Sequence, residues 1–280
     1  MVRTTTRRLA PLLLAVLVLA PLAGPASAVT AEPVAAAPAD RLADAVQTQA
    51  GRDLVLLTNS QRTAQGLVAL RMDPDLMAIA RARAEVMARE DVMGHAEPDG
   101  RTVIDRLTAA NVTSYGFGEI LAWNNYPTVQ LSIRESIRVW MASPSHRTIM
   151  LSDDYNYIGY GAAVSASGKW YYAGVFVKQA DKTVPWARLG AVSIRPVDVG
   201  HVRVTVRWSG GDIRLQVLTS GLRYFQIERR TVGGGWRSWV TTTATARSAT
   251  FTRGVDQQVR VRARDRAGNW GAWRTISIDL

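Results

Sequence analysis

Residues 157–177 read YIGYGAAVSASGKWYYAGVFV. Two apolar runs, 157–164 and 170–177, rich in aromatic and β-branched residues, flank a short polar stretch at 165–168, which predicts an antiparallel strand pair. Before it, from Ala39 to about Ala142, the apolar spacing is helical. Asp73-Pro74 predicts an N-cap with proline at N1, after which Leu76, Ile79, Ala80, Ala84 and Met87 recur on one face up to Gly94. A second helix is expected from about Thr128, with Val129, Ile133, Ile137, Trp140 and Met141 inward, and an earlier one over 53–64 with Leu54, Leu57 and Gln61. Helices followed by a short sheet predict an α+β domain whose helices cover the sheet.

Beyond the strand pair the pattern changes again. Residues 181–190 read as a linker, and from 191 to 280 the chain alternates with period two. VRVTVRW, LRYFQIERRT, WRSWVTTTA, ATFTR, QQVRVRARD and WRTISIDL are separated by glycine-rich or polar turns. Six or seven short strands in that span predict a small all-β sandwich.

The first 28 residues combine Arg3, Arg7 and Arg8, an apolar run from Leu9 to Leu22, and Ala26-Ser27-Ala28, the pattern of a cleaved secretory signal peptide. Arg7-Arg8 also permits twin-arginine export, although Leu9-Ala10-Pro11 fits that motif poorly. Residues 29–50 read as an Ala/Pro-rich spacer. The sequence contains no cysteine, so in an exported protein stability falls on packing, and a metal site would use histidine and carboxylate.

Net charge is +11, but it is unevenly placed. Residues 29–190 hold 16 basic and 17 acidic side chains, whereas residues 191–280 hold 15 and 6, a net of +9. A basic exported module implies an anionic partner outside the cell, and export argues against a physiological nucleic acid.

Three features carry candidate chemistry. His95 follows the long helix in MGHAEPDGRT, Glu119 opens an apolar run in YGFGEIL, and His146 lies in WMASPSHR. Ser143-Pro144 is helix-start punctuation that makes Ser143 the N-cap and His146 position N3. Each histidine reads either as a site residue or as a capping or surface group. Ser143 and Ser145 read as structural, and the chain has no Gly-x-Ser-x-Gly nucleophile elbow.

Taken in order, LVLLTNSQRTAQGLVALRMDPDLMAIARARAEVMA, GHAEPDG, GEI, WMASPSHRTIML and the strand pair resemble a bacterial CAP (SCP-like) domain, the superfamily of cysteine-rich secretory, antigen 5 and plant pathogenesis-related proteins. The resemblance spans residues 51–180. It implies an α-β-α sandwich with a central cleft lined by His95, Glu119 and His146, able in some members to hold a divalent metal such as zinc. Ile120 and Ser145 depart from the family's motifs, and Asp105 is the candidate fourth ligand or a helix cap. It further implies a secreted binding protein for a small or lipidic ligand, with a metal-assisted hydrolase of wall or peptide substrates as the alternative.

Residues 191–280 resemble a fibronectin type III or immunoglobulin-like module. Arg260, Arg262, Arg264 and Arg266 alternate, so they are expected on one sheet face beside Trp236, Trp239 and Trp270. That face reads either as a solvated one, with arginine stems covering apolar surface, or as a binding face for an anionic cell-wall polymer.

Overall fold

The structure, a computed structural model, describes residues 38–280; the expected signal peptide lies outside the described residues. Residues 39–280 form one compact unit.

Its first part has three layers. α2 (Pro74–Glu90) starts where the sequence places it, with Asp73 Oδ1 accepting from the amides of Asp75 and Leu76 at 2.9 and 3.3 Å. The central sheet has the order β1 (Arg71–Met72), β3 (Tyr157–Val164), β4 (Trp170–Lys178), β2 (Gly116–Asn124). β3 and β4 pair antiparallel with Tyr157 opposite Val177. The pleat divides their side chains. Ile158, Tyr160, Tyr172 and Phe176 pack with α1 (Pro38–Ala64), α4 (Val129–Ala142) and α5 (Pro144–Leu151). Tyr157, Val175 and Val177 pack on the other side, with α2 and α3 (Val103–Ala109). Gly159 and Gly161 are required by close approach, since a Cβ at either would overlap the α2 backbone at Leu76 or Ala80. Trp140 is fully buried, donates Nε1 to the Leu121 carbonyl at 2.8 Å and stacks on Tyr160.

The second part has seven strands in two sheets. One has the order β5 (Trp186–Pro196), β6 (His201–Gly211), β9 (Ala246–Thr252). The other runs β11 (Arg274–Ile278), β10 (Gln257–Asp265), β7 (Leu222–Thr231), β8 (Arg237–Thr242). Val204, Val206, Trp208, Phe225, Ile227, Val259 and Val261 fill the space between them.

Two expectations are corrected here. Residues 38–50 belong to α1 rather than to a spacer, because an alanine-rich run is a strong helix former and Ala50, 2% exposed, already joins the core. Residues 181–190 are no free linker either. β5 begins at Trp186, and its period is hidden by an irregularity between Leu189 and Val192. Asp181 is buried and accepts from the Ser220 amide at 2.9 Å. The β6–β7 connection also reaches into the first part. Leu215 is buried in the cluster of Tyr157 and Val175, Gln216 Oε1 accepts from the Val68 amide at 2.7 Å, and the Val217 carbonyl accepts from Asn156.

Candidate functional site

Arg83 occupies the apolar stripe of α2 between Ala80 and Ala84 and is completely buried. A guanidinium in that position must be matched by charge or carbonyl oxygen. Its Nε donates to Glu119 Oε1 at 2.8 Å, Nη1 to Glu97 Oε1 at 3.0 Å, and Nη2 to the carbonyls of Gly94 and His95 at 2.7 and 2.9 Å. Glu97, also buried, is clamped from the other side by Arg106 of α3. Burial pushes the Glu97 carboxyl up, but hydrogen bonds and charge from Arg106 and Arg83 hold it below the ordinary carboxylate range. Burial alone would lower Arg83; Glu119 and Glu97 outweigh it and raise its affinity for the proton.

This network positions His95. Glu119 projects from the middle of β2, its side chain 4% exposed, and its Oε2 meets His95 Nδ1 at 2.7 Å. His95 itself is 67% exposed on the side chain and is held by its own carbonyl on Arg83. His146 lies at N3 of α5, half-buried, with Nδ1 at 2.9 Å from Ser143 Oγ. Burial, and next the charge of His95, depress the His146 pKa.

Among the described residues, the one group of three or more histidines and carboxylates with donor atoms mutually within 4.8 Å is Asp181, Asp212 and Asp265, not His95, Glu119 and His146. Glu119 has one oxygen on Arg83 and the other on His95, so its charge is already balanced. Asp105 is not a fourth ligand: Oδ2 accepts from the Thr102 amide and hydroxyl at 2.8 and 2.9 Å, closing the capping box of α3. Ser143 is the N-cap residue of α5, as expected, but its hydroxyl caps no amide and meets His146 and Ser145 instead. The three aspartates sit where the two parts join, and neutral donors of Thr183, Ser220, Gly221, Gly268 and Asn269 surround them.

The largest departure concerns the arginine face. Arg260, Arg262 and Arg264 do share one face of β10, but they are not splayed into solvent. Arg260 lies between Trp236 and Trp273, 4.3 Å from each ring centroid. Arg262 lies between Trp273 at 4.5 Å and Trp270 at 3.8 Å, and Arg264 follows at 5.1 Å from Trp270. Their edges are engaged as well, Arg260 by Glu228, Arg262 by Gln226 and Arg264 by Tyr224. Cation and ring therefore alternate in a stack that covers both the guanidiniums and the tryptophan faces. Arg266 falls outside β10 and is exposed, so it does not continue the row.

Apolar concave surface lies elsewhere. A groove of about 380 Å³ runs between α1 and α4, floored by Leu57, Ile137 and Met141 and rimmed by Arg134 and Arg138. Sequence reasoning missed Arg83, Glu97 and this groove. The readable signal for the first was an arginine inside a helical stripe of alanine and leucine.

Comparison with known proteins follows the same boundary. The family model for the cysteine-rich secretory protein family, CAP, matches residues 55–177. The uncharacterized protein YkwD of Bacillus subtilis (strain 168) is 30% identical over 116 residues, 41% of this chain and 43% of that protein. The uncharacterized membrane protein YlbC of the same organism is 26% identical over 134 residues, 48% of this chain and 36% of that protein. The chain thus spans less than half the length of the curated relatives it matches. An extracellular protein containing a SCP domain from Bacillus anthracis aligns with TM-score 0.43 at 21% identity, covering 52% of this chain and 45% of that one. A cysteine-rich secretory protein from Staphylococcus aureus aligns with TM-score 0.38 at 22% identity, covering 48% and 39%. The family-model match supports a CAP (SCP) domain over residues 55–177, the part of the chain that builds the three layers around Arg83, Glu119 and His95.

Proposed function

We propose that this chain is an exported, non-catalytic binding protein whose CAP part takes a small or lipidic ligand and whose basic β-module rests on an anionic polymer of the cell envelope. The observation that carries the first half is the groove between α1 and α4. Its apolar floor of Leu57, Ile137 and Met141 beside the cationic head of Arg134, with Arg138 paired to Glu135 at the rim, matches an amphiphile with one anionic end. His95 and His146 are then polar binding groups rather than a reaction centre, because the carboxylate beside His95, that of Glu119, is neutralised by Arg83. The excess of nine positive charges over residues 191–280 supports the second half. The three-plus-four strand order supports reading those residues as a fibronectin type III or immunoglobulin-like module. Among the described residues no helix is long and apolar enough to cross a membrane.

Displacement of a fluorescent fatty acid from the full chain tests the ligand. Saturable binding lost in Met141→Glu and weakened in Arg134→Gln is the expected result. Binding indifferent to both substitutions but abolished by His95→Ala would move the ligand to the histidines.

A further inference from the structure

Beyond the stacked row of Arg260, Arg262 and Arg264, the second sheet brings two further arginines together at its β7–β8 edge. Arg229 and Arg237 are directly opposite one another in the antiparallel pairing of β7 with β8. Opposed residues point to the same face, and like charges so placed repel. Among the described residues neither has a salt bridge, nor does Arg230 beside them. All three line a pocket of about 440 Å³, together with Thr231, Thr250 and Thr252. Arg229 lies on the core-facing side of β7, opposite Val259 of β10, and is held in place by ring faces, with its guanidinium 5.1 Å from Phe251 and 5.8 Å from Trp239. Arg230 is held by Trp236 at 4.5 Å and by Gln258 at 2.7 Å.

We propose that this pocket is an anion site for a phosphate group, clamped between Arg229 and Arg237. Two guanidinium forks on one strand pair match a tetrahedral oxyanion better than a planar carboxylate, because each fork can take two oxygens. Threonine hydroxyls supply the remaining donors, and the pre-stacked Arg229 loses little freedom on binding. An anion there also removes the repulsion between the two arginines, so the site is built in a state that binding relieves. The inference rests on the reading of the β-module as a polyanion anchor and gives that anchor a defined subsite.

The test uses the full chain at fixed ionic strength, with sodium phosphate exchanged for sodium chloride. The expected result is a saturable rise in Tm with phosphate that Arg229→Gln and Arg237→Gln each abolish. Arg195→Gln combined with Arg203→Gln, a like-charged pair on exposed strand surface, should leave it intact. Because Arg237 is exposed, its substitution keeps the fold and should raise Tm in phosphate-free buffer. A phosphate effect no larger than that of chloride, or one retained in Arg237→Gln, overturns the site. Cosedimentation then separates the sources. Loss of binding to a poly(glycerol phosphate) in the same two variants makes the polymer the ligand. Polymer binding that survives both variants overturns the subsite while the anchor stands. Phosphate uptake with no polymer binding keeps the site for a free phosphate ester and removes the anchor. Equal binding of polygalacturonate overturns the preference for phosphate.

Discussion

The two parts of the molecule stabilise guanidinium groups by opposite means. In the CAP part Arg83 is sealed from water and is matched by two carboxylates and two carbonyls. In the β-module Arg260 and Arg262 stay half-exposed and lie against indole rings. A buried charge is tolerable only while every partner is present, whereas stacked cations share their stabilisation among several weak contacts. The first arrangement is therefore brittle and specific, and the second graded. This contrast also changes what the basic charge of the module can do, since the arginines that alternate most clearly are the ones least free to meet a ligand.

Removing Arg83 should have the largest effect. Arg83→Met leaves Glu97 and Glu119 buried with less countercharge and releases the loop carrying His95. A loss of about 3–5 kcal/mol in urea unfolding is expected. A loss below about 1 kcal/mol would mean that the two parts do not differ as argued.

Trp273 sits between two guanidiniums, so Trp273→Ala should remove both contacts and cost about 1–3 kcal/mol. A double-mutant cycle with Arg262→Gln sharpens the point. A positive coupling energy shows that the pair acts through the stack, while strict additivity would reduce it to independent packing.

The smallest effect is that of His146. Its folded pKa lies below the ordinary value of about 6.5, so on acidification the unfolded chain takes up the proton first. Stability should fall as pH drops below about 6.5 toward the folded value, and the slope should be shallower in His146→Gln. An unchanged slope would show that burial of this ring makes no difference to its titration.

Much of the chain was legible in local pattern. The Asp73-Pro74 cap, the stripe of α2 and the strand pair at 157–177 each follow from spacing and turn chemistry, and the structure holds them where expected. What was hidden depends on neighbours distant in sequence. The role of Glu119 is set by Arg83, 36 residues away, and by His95 on a third segment. The alternation at 260, 262 and 264 was visible and Trp236 and Trp270 were expected beside it, but the insertion of these rings and of Trp273 between the guanidiniums, and the absence of Trp239 from the stack, depend on neighbours that no periodicity reveals. β5 escaped notice because its irregularity at 189–192 breaks the period-two signal by which a strand is read.

Leu215 has a further consequence, for the order of assembly. Its side chain belongs to a core otherwise built from residues 76 to 177, yet it is made after them. In a chain that emerges N-terminus first, as in export, there is an interval before that side chain arrives. Through that interval the space beside Tyr157 and Val175 lacks its last occupant. The N-terminal part therefore passes through a nearly finished state with one apolar socket open, and the arrival of the β6–β7 connection closes it. A nascent chain stalled before residue 215 should accordingly be more sensitive to protease than one stalled beyond it.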